Sequence, residues 1–293
     1  MGSPNYLVIK GDFVIIGKEP DGDSVRFIAD IPDLYRQLQR AYRIKPSRDG
    51  SVQLRFEGVD APELHYGSAA QPLGAEARDN VLSWMGFDNI VYVNNQSTMV
   101  KSANPGSVPG AILTQAAEIN GRPVSYILLN QQASQLDEGT WVDLQEDLLK
   151  ETINYRLLTS GMAYYTVYTS TPFVHRQLLR EASAAAREAQ QGVWQEDTTS
   201  DFLLEDQSSI DPNGQLILPK LFRRCTDYLK DVDRGYQGNL SDWIIWISKG
   251  SRNENDLVVV NDTMELHLSE LLEQRNSHVV FKADLLDITF VEK

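Results

Sequence analysis

One cysteine in 293 residues leaves no partner for an intrachain disulfide and no cysteine-based zinc site. Cys225 reads as a core residue in a chain that leans toward the reducing cytosol. Positive charge is also scarce: 27 Lys and Arg stand against 41 Asp and Glu, a formal net charge of -14. That balance excludes a protein that coats nucleic acid or an anionic membrane through bulk charge, so any contact with a polyanion must be local. No apolar run reaches the roughly 18–20 residues that span a bilayer, and the longest, such as residues 243–247, is strand-sized, so no membrane partner is expected. The first ten residues do not join a basic segment to an apolar one, and no secretory leader is expected in the sequence as it stands.

What is present has ordinary globular proportions, 42% hydrophobic and 23% charged, and the length suggests two domains. From Tyr6 to Val59 the pattern is β-like: Val8, Ile9, Val14 and Ile15 precede a turn at Pro20–Asp23, and Val25, Phe27 and Ala29 alternate after it. Within this stretch Leu34, Tyr35, Leu38, Ala41 and Tyr42 fall at helical spacing, which predicts a short inserted helix over 32–47. Val52, Leu54 and Phe56 alternate with Gln53, Arg55 and Glu57, so Arg55 is expected to point away from the apolar face of a strand.

Further along, helices are predicted over 73–85, 144–160 and 175–191, each followed by a glycine, with strands near 90–93, 124–129 and 162–168 and a loop running to about Gly110. The order of strands, helix, strands and two helices is that of a small barrel with helices packed on it. Residues 195–212 have linker composition, and a second unit follows. In it 218–229 reads as a helix with Arg223, Arg224 and Lys230 exposed, and 243–247 and 257–260 read as strands.

Two acidic clusters carry the chemistry. Asp21-Gly22-Asp23-Ser24 lies in a turn between strands, and Asp60-Ala61-Pro62-Glu63 follows a strand directly. Such hard oxygen donors suit Ca²⁺ or Mg²⁺ and not zinc. Alone, the first reads as a plain Asp-Gly hairpin turn before it reads as a metal site. Two separated arginines change its meaning: Arg55, five residues before Asp60, and Arg122 in Asn120-Gly121-Arg122. Carboxylates to hold a metal, one more to handle a water and two guanidiniums to grip phosphate oxygens are the parts of phosphodiester hydrolysis.

With these residues the chain resembles the staphylococcal nuclease-like (thermonuclease) family over about residues 6–197. The matching pieces are DGDSVRF, LRFEGVDAPE, GAEA, NGRPVSYI, LLTSGMAYYTVY and HRQLLREASAAAREAQQGVW. The resemblance implies an α+β fold, a five-stranded OB-type barrel with three packed helices, followed by a smaller α+β domain over 198–293. It implies a calcium-dependent endonuclease of low sequence specificity acting on DNA and/or RNA, with Mg²⁺ and Mn²⁺ suited to the same donors. Asp23, Asp60 and the backbone carbonyl of Ala61 match the metal ligands, Glu63 matches the residue that orients or deprotonates the attacking water, and Arg55 and Arg122 match the phosphate-binding arginines. The reading from another class is a catalytically silent nucleic-acid- or protein-binding module of the same fold.

Three features depart from the family pattern. Asn120 stands where an aromatic is expected beside the nucleotide, and insertions fall at about 95–117 and 131–142. The predicted 32–47 helix carries Arg36, Arg40 and Arg43 interleaved with Tyr35 and Tyr42, a candidate grip on the nucleic-acid backbone. Residues 198–293 hold 10 basic and 17 acidic residues, which disfavours an electrostatic DNA-binding role and points to a protein partner, self-association or regulation.

Overall fold

The computed structural model describes residues 5–94, 98–250 and 254–292; residues 1–4 and 95–97, the latter inside one expected insertion, lie outside the described residues. The chain divides into two compact units that interleave in sequence. The first holds Met1–Val59 and Glu76–Thr159, the second Asp60–Ala75 and Ser160–Lys293. The seam expected at 195–212 therefore falls inside the second unit.

The first unit is organised by a long strand, β1 (Asn5–Val14), whose Leu7, Val8, Ile9 and Phe13 are fully buried. A short β2 (Arg26–Ala29) returns beside its second half. The chain then runs through β3 (Val52–Gln53) and β4 (Arg55–Phe56), and β5 (Val59–Asp60) carries it out of this unit. After α1 (Gly74–Met85), β6 (Asp88–Tyr92) pairs with β7 (Val100–Asn104) as a separate ribbon. The strands β8 (Ser107–Ala117), β9 (Pro123–Leu129) and β10 (Trp141–Asp143) complete the main sheet.

The sheet order is β3-β2-β1-β8-β9-β4, with β10 added beside the start of β1. Only Leu54 separates the two end strands. Its N–H donates to Val25 O at 2.9 Å, Phe56 N–H donates to Asp23 O at 3.0 Å and Glu57 N–H to Ser125 O at 2.9 Å. The segment 52–57 thus bonds β2 and its preceding turn on one side and β9 on the other, bringing the ends of the sheet together as a nearly closed barrel. Arg55, Gln53 and Glu57 are partly exposed while Val52, Leu54 and Phe56 are buried, as the alternation predicts. The barrel-like sheet and α+β character agree with the sequence reading. The sheet has seven strands, not five, because β3 and β4 are distinct paired segments and residues 141–143 join its edge.

Three other expectations in this unit are corrected. Residues 32–47 form no α-helix but two 3-10 turns, Pro32–Gln37 and Ala41–Arg43, because Leu38 is extended and Arg40 sits at φ +58°, a left-handed conformation that no α-helix tolerates. The expected loop before Gly110 contains β7 and the start of β8. The helix expected over 144–160 is two, α3 (Glu146–Lys150) and α4 (Ile153–Thr159). The Thr152 hydroxyl divides them, accepting from Tyr155 N–H at 3.2 Å and donating to Leu149 O at 2.7 Å. Before both in the chain order, between β9 and β10, stands the single-turn α2 (Asn130–Ala133).

In the second unit, β11 (Tyr164–Tyr165) and β12 (Val167–Tyr168) precede α5 (Phe173–Glu188), which buries Leu179, Ala182 and Ala186, and α6 (Val193–Glu196). After β13 (Asp201–Leu203) come α7 (Pro219–Asp233), α8 (Leu240–Ser248) and the strands β14 (Leu257–Val260), β15 (Met264–His267), β16 (Leu272–Arg275), β17 (His278–Phe281) and β18 (Ile288–Phe290). One sheet runs β12-β18-β14-β15 with β12 parallel to β18; another runs β13-β17-β16. Ion pairs Arg176–Asp262, Arg180–Asp287 and Arg187–Asp284 tie α5 to the last third of the unit.

The strand expected at 243–247 is helix α8. The Asn239 side chain caps it by accepting from Asp242 N–H at 2.8 Å, and Trp243 and Ile244 face the core while Ile245 and Trp246 are exposed. On α7, Arg224 is buried against Asp256 at 2.5 Å, not exposed as expected. Cys225 is fully buried, as its sequence context suggests, and burial pushes its thiol pKa up.

Candidate active site

The expected site residues divide between the units: Asp23, Arg55 and Arg122 belong to the first, and Asp60, Ala61 and Glu63 to the second. Each group has its own geometry.

In the first unit, the turn before β2 closes on a bridge between Asp21 and Ser24, with Gly22 N–H donating to Asp21 Oδ1 at 2.8 Å. The Ser24 hydroxyl donates to Leu54 O at 2.9 Å and pins this turn to the strand that carries Arg55. Asp23 is buried, and its carboxylate forms an ion pair with the Arg55 guanidinium, which also donates to Val59 O at 3.1 Å. The guanidinium is thereby fixed at both ends of its fork.

Arg122 immediately precedes β9, after a tight turn in which Gly121 adopts φ +84°. Its backbone N–H donates to Glu118 Oε1 at 3.1 Å, and its Nε donates to the same oxygen at 3.2 Å. Asn120 Nδ2 holds Glu118 Oε2 at 2.9 Å. Glu118 and Asn120 therefore orient Arg122. Sequence reasoning missed Glu118, although its position four residues before an arginine across a turn was a visible signal.

The candidate nucleic-acid residues are also in this unit. Tyr35 is buried at 5% exposure, which removes it from a surface contact, and Arg36 pairs with Asp33 at 3.2 Å. Arg40 Nε donates to Ala117 O at 2.6 Å and Arg43 donates to Ile119 O at 3.2 Å. These two arginines brace the 41–43 turn against the end of β8. Tyr42 is 78% exposed, with the Arg43 guanidinium 5.6 Å from its ring centroid, and remains the one aromatic of the set that faces solvent.

In the second unit, Asp60 and Glu63 sit on the loop 60–75. Asp60, Ala61 and Pro62 are buried. The loop is held by Gln71, whose Oε1 accepts from Glu63 N–H at 3.1 Å, whose N–H donates to Glu63 O at 2.9 Å and whose Nε2 donates to Ile217 O at 2.7 Å. Gly74 packs so tightly that a Cβ there would lie 2.6 Å from Glu63 O. Both carboxylates converge on one cation. Arg223 of α7 places Nη2 at 3.1 Å from Asp60 Oδ2, and its Nη1 pairs with Glu63 Oε1. Tyr66, on the same loop, donates to Asp227 Oδ2 at 2.7 Å, one helical turn beyond Arg223. Burial, then the hydrogen bond to Asp227, raise the Tyr66 phenol pKa to about 12.

A family profile described as staphylococcal nuclease homologue matches residues 53–196, a span that holds Arg55, Asp60, Ala61, Glu63 and Arg122. Residues 53–196 form a staphylococcal nuclease homologue domain. Asp23 and the early hairpin, which the resemblance includes, precede the matched span, and Arg223 follows it. The chain is also 27% identical over 159 residues, 52% of its length, to "Probable endonuclease lcl3" of Talaromyces marneffei. It spans 37% of that protein's length.

No helix among the described residues is long and apolar enough to cross a membrane. No group of three or more His, Cys, Asp or Glu side chains among them is arranged to hold a metal. The expected ligand set needs only two carboxylates and a carbonyl.

Proposed function

We propose that this protein is a metal-dependent endonuclease that hydrolyses phosphodiester bonds of DNA and/or RNA with little sequence specificity. The observation that carries the reading is the buried Asp60 and the half-buried Glu63 meeting on a single positive group. Two carboxylates held together repel each other, and a fold keeps such a pair where chemistry needs it. The family match over residues 53–196 supports a nuclease, and its span includes Arg55, Asp60, Ala61, Glu63 and Arg122.

The donors fit a hard dication. Asp23, Asp60 and the Ala61 carbonyl offer oxygen ligands, and the guanidinium at Asp60 marks a position that calls for positive charge. Ca²⁺ is the first choice, with Mg²⁺ and Mn²⁺ compatible. When bound, the ion would polarise the phosphoryl group as a Lewis acid. Glu63 would orient the attacking water and take its proton, and Arg55 and Arg122, already oriented by carboxylates, would hold the phosphate oxygens as charge builds on them.

A specific observation favours the second reading, a catalytically silent binding module: Arg223 neutralises the carboxylates on which hydrolysis depends. One experiment separates the two. Single- and double-stranded DNA and RNA are incubated with the parent, Glu63→Gln and Arg55→Ala, in Ca²⁺, Mg²⁺ or Mn²⁺ and in chelator. Metal-dependent cleavage lost in both variants supports the nuclease. Intact nucleic acid under every condition makes the binding module the reading to keep.

A further inference from the structure

We propose that Arg223 is an internal competitor for the metal at Asp60, so that the segment beyond the nuclease homologue domain sets the metal concentration at which the site becomes active. The proposal rests on the metal-dependent reading above.

The geometry is that of a cation held in place of an ion. The guanidinium forks across two carboxylates from different positions of one loop, reaching Asp60 with Nη2 at 3.1 Å and Nη1 at 3.5 Å, and Glu63 with Nη1. A guanidinium carries one positive charge in a rigid planar fork that matches this arrangement, whereas a divalent ion offers two charges at a point. Arg223 is bonded to both Asp60 oxygens, so a dication taking them as ligands competes with the guanidinium for the same lone pairs and is repelled by its charge.

Arg223 is also delivered rigidly. Leu221, Phe222 and Cys225 bury the flanks of its helix. Tyr66–Asp227 and Gln71–Ile217 fasten loop 60–75 to the same stretch of chain. The competing charge is therefore part of the fold and not a chance contact of a long side chain. The Arg223 side chain is 27% exposed while that of Asp60 is 1% exposed, so the guanidinium has solvent to swing into and the carboxylate does not. Displacement by metal is a rotamer change of Arg223.

The test measures Ca²⁺ binding directly, by calorimetry on the full chain, together with the rise in melting temperature that saturating Ca²⁺ produces. For Arg223→Gln the expected result is at least tenfold tighter Ca²⁺ binding than the parent, a lower melting temperature without metal and a larger rise with it. Arg223→Lys keeps one charge but loses the fork, and falls between the two. Equal or weaker Ca²⁺ binding by Arg223→Gln, or no binding by either protein, overturns the proposal. If Arg223→Gln does not fold, unchanged affinity in Arg223→Lys overturns it. Cleavage assays on the same proteins keep the two readings apart. Tighter metal binding without cleavage by any variant removes the nuclease and leaves the competition standing. Cleavage by the parent with metal affinity unmoved does the reverse.

Discussion

Glu118 holds Arg122 by two bonds from one oxygen, taking both the backbone N–H and the side-chain Nε of the arginine. A guanidinium oriented in this way meets a phosphate without first losing rotamer freedom.

Glu118→Gln keeps the shape and removes the charge. On the proposed nuclease function, with Arg122 gripping the phosphate, it is expected to lower kcat/KM for a nucleic-acid substrate by about tenfold, or about 1.4 kcal/mol of transition-state stabilisation. The melting temperature should change little, because Glu118 and Arg122 lie at a surface turn. Steady-state kinetics beside a thermal melt checks both halves.

Gly121→Ala is expected to destabilise the protein by about 2 kcal/mol or more. The added Cβ would lie 2.1 Å from Arg43 O at a backbone φ of +84°, so either the 41–43 turn or the Arg122 turn must move. Urea unfolding of the parent and variant measures the loss.

Asn154 is buried and bonds three backbone groups. Its Oδ1 accepts from Ile127 N–H at 2.9 Å, and its Nδ2 donates to Glu57 O at 2.9 Å and Ser125 O at 3.0 Å. These groups flank the parallel pairing of β4 with β9. Asn154→Leu leaves them without this partner and is expected to cost about 3 kcal/mol. Equilibrium unfolding that showed less than about 1 kcal/mol would refute the structural role assigned to this residue.

Tyr66 supplies a pH prediction with a definite sign. Its folded pKa, about 12, lies above that of a free phenol. Its contribution to stability is therefore fully present below about pH 10 and is lost as pH rises through 12. The difference in absorbance at about 295 nm between parent and Tyr66→Phe should titrate near 12, and in an Asp227→Asn background it should move down.

Much of the barrel was legible because its cause is local. The alternation through Val52, Leu54 and Phe56 placed Arg55 correctly, and Gly86 and Gly192 marked the ends of helical segments. Residues 243–247 misled because five apolar residues in a row carry no period; the Asn239–Asp242 cap was the signal that decides for a helix. Residues 32–47 misled in the opposite sense, since helical spacing says nothing about a left-handed residue such as Arg40. Arg223 was placed on the right helix and assigned the wrong surroundings. Its partners lie 160 and 163 residues away, and no local pattern encodes that distance.

The parallel pairing of β12 with β18 joins Val167 to Thr289 and Tyr168 to Phe290, so the strand that follows the barrel segment finds its neighbour only at the far end of the chain. During synthesis residues 167–168 leave the ribosome more than a hundred positions ahead of that neighbour, and must wait with an open edge. A fragment cut where the family match stops, at residue 196, would keep that edge open permanently and would lose the helix that carries Arg223.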